Sequence, residues 1–238
     1  MSRSLTHVSS PAAEAHWIPL SDLMTGLMMM FLLIAVVYMV QIEAESRKMK
    51  EVAVLYDELR TKLYEDLSRE FAADLDRWGA QISKENLTVR FKEPEVLFAL
   101  GSSELKPRFK EILDDFFPRY VRILTSDKYR DSITELRIEG HTSSVWTSSV
   151  DPQQSYFLNM ALSQERTRST LQYVMSIPSL KGDIKWLEQF ATANGLSFSK
   201  LVRTPDGRED RAASQRVEFR VVTDAERRIA RILEAATR

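Results

Sequence analysis

Eighteen consecutive residues, Leu23 to Val40, carry no charge and are almost wholly apolar. A bilayer core about 30 Å thick is crossed by about 20 helical residues, so this run and its flanks are long enough to span one. A secretory signal would need a basic leading region, a shorter apolar run and a small-residue cleavage site. Only Arg3 and Glu14 are charged ahead of Trp17, and the run leads into "QIEAESRK" without such a site. The expectation is a flexible tail over 1–16 and an uncleaved single transmembrane helix over 17–41.

One acid stands at the start of this span. Pro19, Ser21 and Asp22 make a good helix start, with proline in the first turn and an acid near the positive dipole end. Alternatively, Asp22 lies inside the membrane, where ionisable residues are rare and tend to serve function. A carboxylate at the centre of a membrane helix costs about 2.5–3.5 kcal/mol on insertion scales, and less near its end. Thr25 and Gly26 follow one turn later on the same face, a hydroxyl and a place for close helix approach. From these residues alone both readings stand.

Beyond the span, apolar residues recur at Met49, Val52, Tyr56, Leu59 and Leu63, then at Leu67, Phe71, Leu75, Trp78 and Ile82. The spacing of three and four predicts an amphipathic helical stalk over 42–82 with a narrow apolar stripe, suited to pairing with a second copy. No Pro or Gly interrupts residues 42 to 78. Span and stalk would then form one rod about 90 Å long at 1.5 Å per residue.

A compact domain is expected over 83–238. "LTVRFKEPEVLFAL" reads as a strand or hairpin, and "KPRFKEILDDFFPRYVRILTS" as a helix with Pro107 in its first turn. "ITELRIEGH" alternates into a buried strand, and "SYFLNMALSQERTRSTLQYVMSI" is a helix that stops before Pro178. "KGDIKWLEQFATANG" reads as a short helix ending at a glycine cap, "QRVEFRVVT" as a strand, and the residues after Asp224 as a last helix. The order predicts an α+β chain whose domain is a sandwich of helices on one face of a mixed sheet.

The chemistry excluded is as informative. Lys and Arg number 33 against 34 Asp and Glu, which gives no polyelectrolyte patch for direct nucleic-acid binding. There is no cysteine, and His7, His16 and His141 are too scattered to suggest a metal cluster. No P-loop, nucleophile elbow, HExxH or dinucleotide fingerprint occurs, so neither an enzyme nor a resident cofactor is expected.

Four segments carry a resemblance: "VLFALGSSELKP", "LRIEGHTSS", "NMALSQERTRSTLQYV" and "SQRVEFRVV". In that order, over roughly 87–223, they resemble the OmpA-like peptidoglycan-binding domain. With one N-terminal span and its Ser-Asp-Leu-Met entrance, the architecture resembles the B subunits of rotary stator units. Its span and linker are similar to the ZorB subunits of Zorya anti-phage systems first, and to flagellar MotB-type subunits second. The resemblance implies that Asp22, supported by Thr25 and Gly26, is reversibly protonated as ions pass. Protons are implied over sodium, beside a multi-span MotA-like A subunit in a five-to-two complex. It also implies an inner-membrane location with the N-terminus cytoplasmic and the domain periplasmic. The positive charges Arg47, Lys48 and Lys50 after the span, against Arg3 alone before it, point the other way.

For the wall ligand, the resemblance implies a site that holds the free carboxylate and amine of diaminopimelate. Arg166 matches the carboxylate-binding arginine, with Asn159, Leu162 and Thr142 at motif positions. Ser143 stands where the family has an aspartate, and Ser214 where it has an asparagine. Tyr156 or Asp151, in the polar stretch between Thr142 and Asn159, are candidate substitutes. Without the resemblance, Arg166 could equally form a surface salt bridge with Glu139 or Asp151, His141 could be purely structural, and the whole chain could be a passive membrane-to-wall tether.

Overall fold

The computed structural model describes residues 17–92, 97–99, 101–146 and 150–224. The expected tail over 1–16 and the helix after Asp224 lie outside the described residues. The chain divides into two compact units, Met1–Glu51 and Val52–Arg238.

The first unit is helical throughout its described part. Helix α1 runs from Trp17 to Phe71, and within its stretch Leu20–Arg47 an 18-residue window reaches a mean hydropathy of 2.4, with none of that window buried within the protein. Leu23, Met29, Leu33 and Met39 each leave more than 60% of their surface uncovered. A helix satisfies its own backbone hydrogen bonds, so an apolar helix with no protein cover is matched to lipid. Asp22 comes five residues after Trp17 and is no cap: no acid lies in the helix's first turn. Of the two readings left open for Asp22, the described helix therefore does not favour the helix start at Pro19–Asp22.

The second unit begins inside α1. Leu63, Leu67 and Phe71 are fully buried, whereas the side chains of Met49, Val52 and Tyr56 lie outside the described residues. Helix α2, Leu75–Trp78, ends at Gly79 with φ 60°, a left-handed cap. The chain then turns into strand β1, Ala80–Ser83, where a helix through Ile82 was expected. Trp78 to Ile82 keeps helical spacing, but the pattern from Ala80 to Ile82 also fits a strand, and Gly79 decides between them.

Strand β2 is Thr88–Phe91, helix α3 Pro107–Leu124, strand β3 Ile133–His141 and helix α4 Pro152–Met175. Helix α5, Ile184–Phe190, leads into strand β4, Ala191–Gly195. Short helix α6, Arg211–Ser214, precedes strand β5, Arg216–Thr223. The sheet order is β1-β2-β5-β3-β4, with only β3 and β4 parallel. It is a mixed sheet in an α+β fold.

β5 lies at the centre. Val217, Phe219 and Val221 are paired with Gly140, Ile138 and Leu136 of β3 on one face. Phe219 packs against Phe116 and Phe117 of α3 at ring-centroid distances of 5.2 and 5.8 Å, and Phe71 and Trp78 extend the same cluster. The end of α1 is also held by charge. Arg119 donates to Glu70 Oε1 at 2.8 Å and Asp74 Oδ2 at 2.9 Å, while Lys128 and Tyr129 donate to Asp66. The guanidinium on Asp74 and the ammonium on Asp66 hold both carboxyls below the usual aspartate range.

Helix α4 lies against the same face at two glycines. A Cβ on Gly140 would meet Thr167 Cγ2 at 2.7 Å and Ser163 O at 2.8 Å; one on Gly195 would meet Gln164 N at 2.3 Å. Gly195 is therefore a strand residue under a helix, not the helix cap expected from sequence. Gln164 completes the contact by accepting from Gly195 N and donating to Ala193 O. Replacing Gly195 with Ala drives a methyl into backbone and is expected to destabilise the domain by about 1–3 kcal/mol. Urea unfolding followed by tryptophan fluorescence checks this; an unchanged midpoint would contradict the contact.

Candidate functional site

Because β3 ends under α4, the residues after His141 and one face of the helix meet. Asp151 starts α4, accepting from Gln153 N and Gln154 N. It is a cap, so its role as a substitute ligand is not supported by its contacts. Two turns on, Asn159 is buried and donates through Nδ2 to Ser155 O at 3.0 Å. Ser163 donates to Met160 O and accepts from Ser197 N, which ties α4 to the loop after β4.

Thr142, Ser143, Asn159, Leu162 and Arg166 all line one cleft of about 320 Å³, together with Gly101, Val145, Trp146 and Gln215. Five of the six residues expected to bind the wall thus converge. Tyr156 does not line it; its ring packs edge-on against Phe157 and Phe198, and its carbonyl accepts from Ser197 Oγ. Val145 and Trp146 escape sequence reading because they sit in an irregular segment without periodicity. Gln215 had a signal, in the Ser-Gln-Arg-Val-Glu segment at the head of β5.

Arg166 dominates the electrostatics. Only 9% of it is exposed. Nε donates to Ser102 O at 2.8 Å and Nη2 to Ala99 O at 3.3 Å, and the guanidinium lies 4.9 Å over the ring of Phe98. No carboxylate pairs with it among the described residues, so the salt bridge to Glu139 or Asp151 is absent. Burial pulls its pKa down to about 10. At neutral pH it remains a cation held by neutral groups, an arrangement that a carboxylate from outside would complete. Thr142, also on the cleft, has a buried hydroxyl with no hydrogen-bond partner. Ser143 accepts from Gln215 Nε2 at 3.2 Å.

The opposite sheet face holds a second polar group. His141 Nε2 lies 3.8 Å from Glu139 and 3.7 Å from Glu218, and all three are buried. The histidines are scattered in sequence, yet the pairing of Glu139 with Glu218 across β3 and β5 brings one of them to two acids. Arg216 and Arg90 both donate to Glu218 Oε1, at 2.6 and 2.7 Å. Both guanidiniums converge on Glu218, while Glu139 has the imidazole of His141 beside it.

In α1, Asp22 is exposed and makes no hydrogen bond or ion pair among the described residues. Thr25 Oγ1 donates back to Ser21 O at 2.7 Å, and a Cβ on Gly26 would meet nothing within 4 Å. The hydroxyl is thereby turned onto its own helix, and the glycine face is open.

No family model matches the chain. It is 50% identical over 219 residues to Zorya protein ZorB of Escherichia coli strain Crooks, covering 92% of each chain. Among solved structures it is similar to a putative MotB-like protein from Desulfovibrio vulgaris, with 24% identity, a TM-score of 0.49, and 73% of this chain and 94% of that one covered. It is also similar to the cell wall anchor of the T6SS from Pseudomonas aeruginosa, with 22% identity, a TM-score of 0.45, and coverage of 66% and 96%.

Glu218 provides a test of the buried network. Burial alone pushes its pKa up, but Arg216, His141 and Arg90 outweigh this and hold it below the ordinary 4.5. A depressed carboxyl stabilises the fold above its unfolded pKa and loses that contribution as pH falls through its folded value. Glu218→Gln leaves Arg216 buried without its anion and is expected to cost about 3–5 kcal/mol at pH 7. The gap from wild type should narrow as pH drops below about 4.5; a pH-independent gap in urea unfolding would contradict the assignment.

Proposed function

Because the chain belongs to the ZorB family of Zorya proteins, we propose that it is the wall-anchored B subunit of an ion-driven rotary unit acting in anti-phage defence. The observation that carries this reading is Arg166, a buried cation without a carboxylate, lining a cleft beside four other residues of the expected wall-binding set. A carboxylate of the peptidoglycan stem peptide is its fitting partner. The planar guanidinium favours such an anion over a neutral sugar. The apolar walls of Leu162, Val145 and Trp146 suit the aliphatic part of diaminopimelate.

The motor half rests on Asp22. It sits within a helix matched to lipid, outside that helix's first turn and without a partner among the described residues. A carboxylate so placed calls for a partner protein, and a multi-span MotA-like subunit, packed against the open Gly26 face, is the one proposed. Protons are the proposed ion because, Thr25 aside, residues 23 to 37 carry no oxygen-bearing side chain that could ligate sodium. Five A subunits around two B helices is the proposed assembly. The wall lies outside the inner membrane, so the domain is placed in the periplasm and the N-terminus in the cytoplasm, against the local Lys/Arg count.

Two substitutions separate the halves. Asp22→Asn is expected to abolish phage protection, with Asp22→Glu retaining part of it, at unchanged membrane level and sedimentation with purified sacculi. Arg166→Leu is expected to weaken sacculus binding by about 2–5 kcal/mol, the cost of removing one partner of a buried charged pair. Full protection by Asp22→Asn would instead identify a passive tether.

A further inference from the structure

Among its described lining residues the cleft holds one charge and no acid. Its described lining is Gly101, Thr142, Ser143, Val145, Trp146, Asn159, Leu162, Arg166 and Gln215. The nearby carboxylate of Glu209 does not line it and is engaged by Ser144 through both its N–H and its hydroxyl. A ligand that brings a carboxylate satisfies Arg166. A ligand that also brings a free ammonium finds no anion for it among the described residues of the lining, and desolvating an unpaired ammonium is costly.

What the cleft offers instead is a neutral pair. Gln215 Nε2 donates to Ser143 Oγ. That leaves the Gln215 carbonyl oxygen as an acceptor and the Ser143 hydroxyl hydrogen as a donor. One acceptor and one donor complement the N–H and C=O of a secondary amide. The Thr142 hydroxyl, buried without a partner, adds a further hydrogen-bonding group to the same wall.

Building on the wall-binding reading, we infer that the cleft selects an N-acylated amino-acid carboxylate. In peptidoglycan this is the side-chain end of diaminopimelate after its amine has been acylated, as in a cross-linked stem peptide. The same chemistry also occurs at the C-terminal D-alanine of a stem. Val145, Trp146 and Leu162 would cover the aliphatic portion in either case. A protein of this kind would hold mature, cross-linked wall in preference to free stems. That suits an anchor that must resist load, because cross-linked strands cannot be pulled away singly.

Calorimetry on the full chain in detergent micelles tests this with three disaccharide tetrapeptides. One has the free side-chain amine, the second is acetylated there, and the third is acetylated and also amidated at the side-chain carboxylate. The acetylated peptide is expected to bind at least as tightly as the free amine, and the amidated one to lose binding about tenfold or more, as for a lost charged hydrogen bond. Ser143→Asp is expected to reverse the first preference towards the free amine. Tighter binding of the free amine by wild type would overturn the inference while leaving the wall-binding reading intact. Undiminished binding of the amidated peptide would overturn the assignment to cross-linked diaminopimelate and its preference for mature wall, and would place the carboxylate at the terminal D-alanine. If none of the three binds, the wall-binding reading itself fails.

Discussion

Everything in the candidate site depends on how closely α4 approaches the sheet. Gly140 and Gly195 have backbone or side-chain atoms of α4 where a Cβ would stand, at 2.3–2.8 Å. Only hydrogen fits there, so the helix settles onto the parallel pair β3–β4 at a depth set by backbone contact. That depth brings Asn159, Leu162 and Arg166 level with the turn after His141. The Gln164 side chain, bonded to both Ala193 and Gly195, fixes the helix along the strand direction as well. A larger residue at either glycine would lift α4 and open the cleft.

Much of this was legible in the sequence, for reasons that differ by element. The long apolar run reads as a span from its length and its lack of charge, and its helix is left uncovered by the rest of the protein. Strand β3 and helix α4 were both found, β3 by its alternation and α4 by its length and its stop before Pro178, although the face that α4 buries, from Ser155 to Thr170, is mostly polar. The strands β1 and β4 were missed for opposite reasons. β1 lies in a stretch whose apolar spacing continues a helix, and only Gly79 breaks it. β4, "ATANG", has almost no apolar content; it is a strand because α4 covers it and β3 pairs with it, which is tertiary information. The site shows the same division. Motif residues converge as expected, whereas Val145, Trp146 and Gln215 join through loop geometry that no period records. Asp151 and Tyr156 were plausible by chemistry and turn out to serve as a helix cap and a packing ring.

Two charges define the account, and both are handled by leaving them incomplete. Structural charges in this domain are paired: Arg119 with Glu70, Asp74 and Asp115, Lys128 with Asp66, Arg216 and Arg90 with Glu218. Against that background, Arg166 is buried among carbonyls and an aromatic ring, and Asp22 stands in a lipid-matched helix with no partner among the described residues. Groups that would be costly for stability alone are the ones that fit a ligand and a neighbouring subunit.

The central claim is that Arg166 waits for an external carboxylate. Its Nε–H resonance, observed by ¹⁵N-edited NMR of the full chain in micelles, reports on that directly. Adding a disaccharide tetrapeptide is expected to shift the Arg166 Nε–H signal together with the indole signal of Trp146, in a saturable manner and with one dissociation constant. A saturable titration that moves signals elsewhere in the domain and leaves Arg166 and Trp146 unmoved would contradict it.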